Sequence, residues 1–93
     1  MNYDALHILL ADDDDDDRLF FKNAIEEVKF KTIVSMVNDG VELMEYLIKP
    51  GSQLPHLVFL DLNMPRKSGI ECLKEIRSNS KFKDLLLSLI HIS

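Results

Sequence analysis

Seven aspartates stand where this chain can do chemistry. Six are consecutive, Asp12 to Asp17, and follow a short apolar stretch; the seventh, Asp61, closes a separate apolar run. Carboxylates brought together on neighbouring strand ends repel, so they raise each other's pKa or recruit a cation. A hard divalent ion such as Mg²⁺ suits them, because it prefers oxygen and is often held by one or two carboxylates plus water. Beside such an ion an aspartate can attack phosphorus, since aspartyl phosphate is an established covalent intermediate. The ion offsets charge on the transferred phosphoryl oxygens. The pattern points to a metal-assisted phosphoacceptor with Asp61 as nucleophile. A solvated acidic loop accounts for six consecutive Asp residues but leaves Asp61 unexplained. An EF-hand fails on pattern: counted from Asp12, the sixth position is Asp17 rather than Gly and the twelfth is Asn23 rather than Glu.

Those aspartates need elements to position them. Leu6 to Ala11 has strand length and composition, and Leu19, Phe20, Phe21, Ala24, Ile25 and Val28 recur at helical spacing up to about Phe30. Thr32 to Val37 is β-branched and closes with the turn residues Asn38-Asp39-Gly40. Val41, Leu43, Met44, Leu47 and Ile48 predict a short helix stopped by Pro50-Gly51. Leu57 to Leu62 is a second buried-type strand, Ile70, Leu73 and Ile76 mark a helix through about Arg77, and Leu85 to Ile92 predicts a fourth strand. Strands alternating with helices indicate βαβ units, a parallel sheet and an α/β fold. Ligands of such sheets bind outside the carboxyl ends of the strands, where Asp12, Asp13 and Asp61 fall.

Composition narrows the classes further. Ninety-three residues, 46% hydrophobic and 29% charged, make one small globular domain, residues 1–93. Net charge is −5, but outside the Asp run ten acids and eleven bases remain, so the acidity is one local feature. Charge of that sign, with no basic stripe, speaks against nucleic acid. No apolar stretch reaches the roughly 20 residues of a membrane helix, and no signal peptide is visible at the N-terminus. A single cysteine, Cys72, makes a reducing cytoplasm the expected compartment. Cys72 is expected in the core, as are Phe20, Phe21, Met36 and Met44. His7, His56 and His91 show no ligand spacing, and Arg66 and Lys67 are expected on an ordinary exposed loop.

With strand-Asp12-Asp13, strand-Asp61 and Asn63-Met64-Pro65 before Gly69, the chain resembles bacterial response-regulator receiver domains of the CheY-like type. It looks most like the small single-domain receivers associated with phytochrome-type kinases, over about residues 6 to 85. The resemblance implies a flavodoxin-like three-layer sandwich around a parallel sheet. It implies that Asp61 is phosphorylated, that Asp13 binds Mg²⁺ directly and Asp12 largely through water, and that Asn63 contributes its backbone carbonyl. Met64-Pro65 would shape the loop, with Gly69 opening the third helix. The phosphoryl donor would be a sensor histidine kinase or phosphotransfer protein, and a conformational switch would be read by a downstream protein target. Asp14 to Asp17 would be helix-start charges, suited to the positive end of the helix dipole.

The family also uses a Ser or Thr at the end of the fourth strand and a Lys at the end of a fifth. Here the switch position falls near His91, with Ser93 two residues on, and Ser93 is not assigned as the switch. A complete receiver needs roughly 120 residues. The chain is therefore expected to be cut short after about the fourth strand, or altered by a frameshift near its end. The raw strand edge this leaves predicts aggregation, domain swapping or a homodimer. Three functions compete. The first is a signalling receiver that catalyses only its own phosphorylation and dephosphorylation. The second is an interaction module without phosphorylation chemistry. The third is an aspartate-nucleophile phosphohydrolase, whose Asp-x-Asp motif continues differently from Asp12-Asp13-Asp14.

Overall fold

The computed structural model describes residues 5–49, 51 and 53–90. Its elements alternate: β1 (Leu6–Ala11), α1 (Asp15–Glu26), β2 (Thr32–Val37), α2 (Gly40–Ile48), β3 (Leu57–Asp61), α3 (Gly69–Arg77) and β4 (Leu86–Ile90), with a 3₁₀ turn at Ser80–Phe82 before the last strand. All strand pairs are parallel, in the order β2-β1-β3-β4. The chain thus adds β2 on one side of β1 and crosses back to add β3 on the other. Between β1 and β3 the connections leave in opposite directions, which opens a crevice at their carboxyl ends.

Period-two alternation sorts the strand residues between two layers. Leu9, Ala11, Val58 and Leu60 are fully buried with Leu43, Leu47, Cys72, Ile76 and Phe82 in the core beneath α2 and α3. Ile8 and Leu10 are buried on the opposite face, where Phe21 of α1 meets Phe59 edge-on with ring centroids 5.1 Å apart. Two helical layers enclosing a parallel sheet are the expected three-layer sandwich. Among the described residues β4 pairs with β3 alone, and Leu86 is 63% exposed.

Several expectations need correction. Phe20 is 65% exposed, Phe21 and Met36 are half-buried, and of the four residues only Met44 is in the core. Consecutive helical residues point about 100° apart, and here Phe21 turns to the sheet while Phe20 faces outward. Helix α1 stops at Glu26 rather than about Phe30. Its end tightens through Glu27 N–H to Ala24 O (3.2 Å) and Val28 N–H to Ile25 O (2.9 Å). β3 ends at Asp61, one residue before Leu62, and β4 begins at Leu86 rather than Leu85. His91, Ile92 and Ser93 lie outside the described residues, and the switch position with them.

Cys72 is fully buried, its thiol donates to Gly40 O (3.6 Å), and burial pushes its pKa up, so it is a core thiol and not a nucleophile. His7 is more than a bystander. Its Nε2 lies 3.0 Å from Ser35 Oγ and 3.2 Å from Tyr46 Oη, tying β1 to β2 and α2 at the end of the sheet away from the aspartates.

Candidate functional site

The strand order carries the aspartates to one place. Asp12 N–H donates to Val37 O (3.1 Å), extending the β1–β2 ladder by one residue and drawing Asp12 fully inside. Its Oδ1 accepts the Asp14 N–H (2.9 Å), whereas its Oδ2 is buried without a partner among the described residues. Burial pushes the Asp12 carboxyl up to about 6. The Asp14 N–H opposes that rise, and the charges of Asp61, Asp17 and Asp13 reinforce it. Asp61, 7% exposed, closes β3 beside it, with the Asn63 N–H directed at Oδ1 (3.4 Å). Asp13 is exposed at the mouth. One carboxylate oxygen from each of Asp12, Asp13 and Asp61 lies within 4.8 Å of the others.

This donor set fits a hard divalent cation. Its ligand atoms are all carboxylate oxygens, and an orphaned buried oxygen with a raised pKa gains a partner when a cation enters. Asp14 to Asp17 stand outside that group and start a helix. Asp14 is the N-cap of α1, accepting from Asp16 N–H (2.8 Å) and Asp17 N–H (3.2 Å), and Asp15, Asp16 and Asp17 fill the first turn. Arg18, one turn in, donates to Asp12 O (2.6 Å) and pairs with Asp15, so it braces the acidic strand end.

The loop from Asp61 to Gly69 completes the crevice. Leu62 N–H donates to Ile90 O and Gly69 N–H to Leu62 O, each at 3.3 Å, which folds the loop back on the end of β3. Ser68 caps α3 with a reciprocal Ser68–Glu71 capping box. Arg66 and Lys67, read from the sequence as ordinary loop residues, are both engaged. Lys67 pairs with Glu75. Arg66 Nε and Nη2 reach Asp39 Oδ2 at 3.0 and 2.6 Å. Asp39 also caps α2 by accepting the Glu42 N–H (2.9 Å). That bond first, and Arg66 second, hold its carboxyl below the usual range. The cap is legible in Asp39-Gly40-Val41-Glu42; its partner 27 residues away is not.

Comparison with known proteins agrees with this geometry. The sequence profile of the response regulator receiver domain matches residues 8–90. A probable chemotaxis protein CheY of Rhizobium etli is 34% identical over 80 residues, covering 86% of this chain and 59% of its own. A phosphorylated cyanobacterial phytochrome response regulator, RcpA, superposes with a TM-score of 0.88 at 31% identity, covering 97% of this chain and 67% of its own. The Mn²⁺-bound response regulator Rcp1 follows at 0.86 and 30% identity, covering 94% of this chain and 66% of its own. The chain spans 23%, 59% and 37% of three curated relatives it matches. No helix among the described residues is long and apolar enough to cross a membrane. A parallel sheet with an acidic crevice at its carboxyl edge and a profile match across nearly its whole length place this chain in the response regulator receiver domain family.

Proposed function

We propose that this domain accepts a phosphoryl group on Asp61 in a two-component phosphorelay, with a divalent cation, Mg²⁺ in the cell, held by Asp12, Asp13, Asp61 and the backbone carbonyl of Asn63. The observation that carries the reading is the buried Asp12 Oδ2, without a partner among the described residues, on a carboxylate that clusters with those of Asp13 and the strand-end Asp61. When bound, the cation neutralises charge on the phosphoryl oxygens in flight. Asp61 supplies the nucleophile. The Asn63 N–H engages Oδ1, leaving the second oxygen to form the bond to phosphorus as the bond from phosphorus to the donor's imidazole nitrogen breaks. Asp12 stays ionised at neutral pH, and Arg18 holds its backbone in place. A histidine kinase or phosphotransfer protein is the donor, a downstream protein is the reader, and the cytoplasm is the compartment. The domain has no metabolic substrate of its own. Incubation with Mg²⁺ and acetyl phosphate is expected to add the mass of one phosphoryl group, and prior chelation is expected to prevent it. No adduct under either condition would favour an interaction module without phosphorylation chemistry.

Asp12 sets a pH dependence. Its folded-state pKa of about 6 exceeds the ordinary value of 3.8, so without metal its ionisation costs stability progressively as pH rises through that window. A cation reverses the cost, because it binds the ionised form. Mn²⁺ affinity is accordingly expected to fall by up to about tenfold per pH unit below 6, as proton and metal compete for the same carboxylate. Asp12→Asn should weaken Mn²⁺ binding on the order of tenfold or more, flatten that profile and raise the metal-free melting temperature. Calorimetric titration and melting of both proteins across pH 5 to 7 provide the check. Unchanged affinity in Asp12→Asn would remove Asp12 from the site.

A further inference from the structure

Five residues past Asp61 the backbone does something costly. Arg66 has φ +65°, the only positive φ of a non-glycine residue among those described. Lys67 N–H donates to Pro65 O (2.6 Å), so Pro65-Arg66-Lys67 is a three-residue turn of the rare, strained hand. Such a turn persists only where its surroundings hold it. Two contacts do so, and both come from the start of α2. The Arg66 guanidinium forks onto Asp39 Oδ2. Beside it the backbone of Lys67 lies so close to Gly40 that a Cβ there would stand 2.3 Å from Lys67 O.

From this we infer that Arg66 and Asp39 form a latch that positions the β3–α3 loop, and with it Asn63 and Asp61, for cation binding and phosphoryl acceptance. The inference rests on the function proposed above. Asp39 is a positioning residue held almost fully inside, and Arg66 reaches it from a half-exposed position. Only Leu62 to Met64 separate the latched turn from Asp61. A loop released from α2 loses the constraint on where the Asn63 backbone sits. The latch also joins the phosphoacceptor loop mechanically to α2, so a change at one is felt at the other.

Two substitutions separate positioning from bulk stability. Arg66→Gly removes the latch yet relieves the backbone, because glycine adopts positive φ freely. Asp39→Asn removes the charge while keeping a good N-cap for α2. Using the whole chain, Mn²⁺ affinity is read by calorimetric titration, melting temperature by circular dichroism and phosphoryl uptake by the initial rate with acetyl phosphate. Each single variant is expected to bind Mn²⁺ about tenfold more weakly while melting within about 3 °C of the parent. The double variant should be no worse than either single one, as two halves of one contact require. Unchanged Mn²⁺ affinity in both single variants, or losses that multiply in the double, would overturn the latch. So would a loss of affinity that only accompanies a large fall in melting temperature. An unsubstituted chain that binds no Mn²⁺ would instead overturn the proposed function, and the latch with it.

Discussion

Asp61→Asn is expected to take up no phosphoryl group from any donor while keeping the fold. The amide matches the carboxylate in size and can still accept the Asn63 N–H, so local packing survives. What disappears is the anionic oxygen that attacks phosphorus, a neutral amide being a far poorer nucleophile. The change also removes one of the charges that raise the Asp12 pKa. The variant should therefore melt at or above the parent temperature without metal, and Asp12 should titrate lower. Intact-mass measurement and a melting curve on the same sample suffice. Loss of uptake with a collapsed melting transition would mean that Asp61 acts through folding. Retained uptake would place the chemistry on another residue.

Gly69→Ala is expected to have a large effect on folding. Gly69 is buried where α3 starts, and a Cβ there would stand 2.4 Å from Asp61 O, 3.1 Å from Asp61 C and 3.3 Å from Leu62 Cα. These are backbone atoms of the last residue of β3 and the one after it, and cannot rotate aside as a side-chain tip would. Overpacking of this kind costs about 1–3 kcal/mol, and at about 4–8 °C per kcal/mol for a domain of this size the upper figure lowers the melting temperature by more than about 10 °C. The displaced atoms belong to Asp61 itself, so cation affinity should fall in whatever fraction stays folded. A melting temperature within a few degrees of the parent would show that the loop can yield, and the close approach would then carry no constraint.

How far the fold could be read ahead of the structure follows from how local each signal is. The apolar runs and the turn residues between them placed every strand and helix within a few positions, because periodicity and capping act over neighbouring residues. Asp61 stood out for the same reason, as one charge closing an apolar strand. The helix start at Asp14 to Asp17 was legible too, since its charges are consecutive in the chain; that Asp14 caps it by accepting from Asp16 and Asp17 came from the structure. Phe20 was misplaced because hydrophobicity does not say which side of a helix finds a neighbour; the sheet takes Phe21 and leaves Phe20 outside. The His7–Ser35–Tyr46 contact and the Arg66–Asp39 pair joined residues far apart in the chain. No local pattern announces such partners. They exist only once parallel register and two crossovers have brought their elements together.

In the proposed function Asp61, and no other group, carries the phosphoryl. Trapping the acyl phosphate tests this. The chain is incubated with Mg²⁺ and acetyl phosphate, reduced with borohydride, which converts an aspartyl phosphate to homoserine, digested, and mapped by mass spectrometry. Homoserine at position 61 alone, absent when metal is chelated first, is the expected result. Reduction at Asp12 or Asp13, or a phosphoryl group recovered on a histidine with Asp61 unmodified, would contradict it.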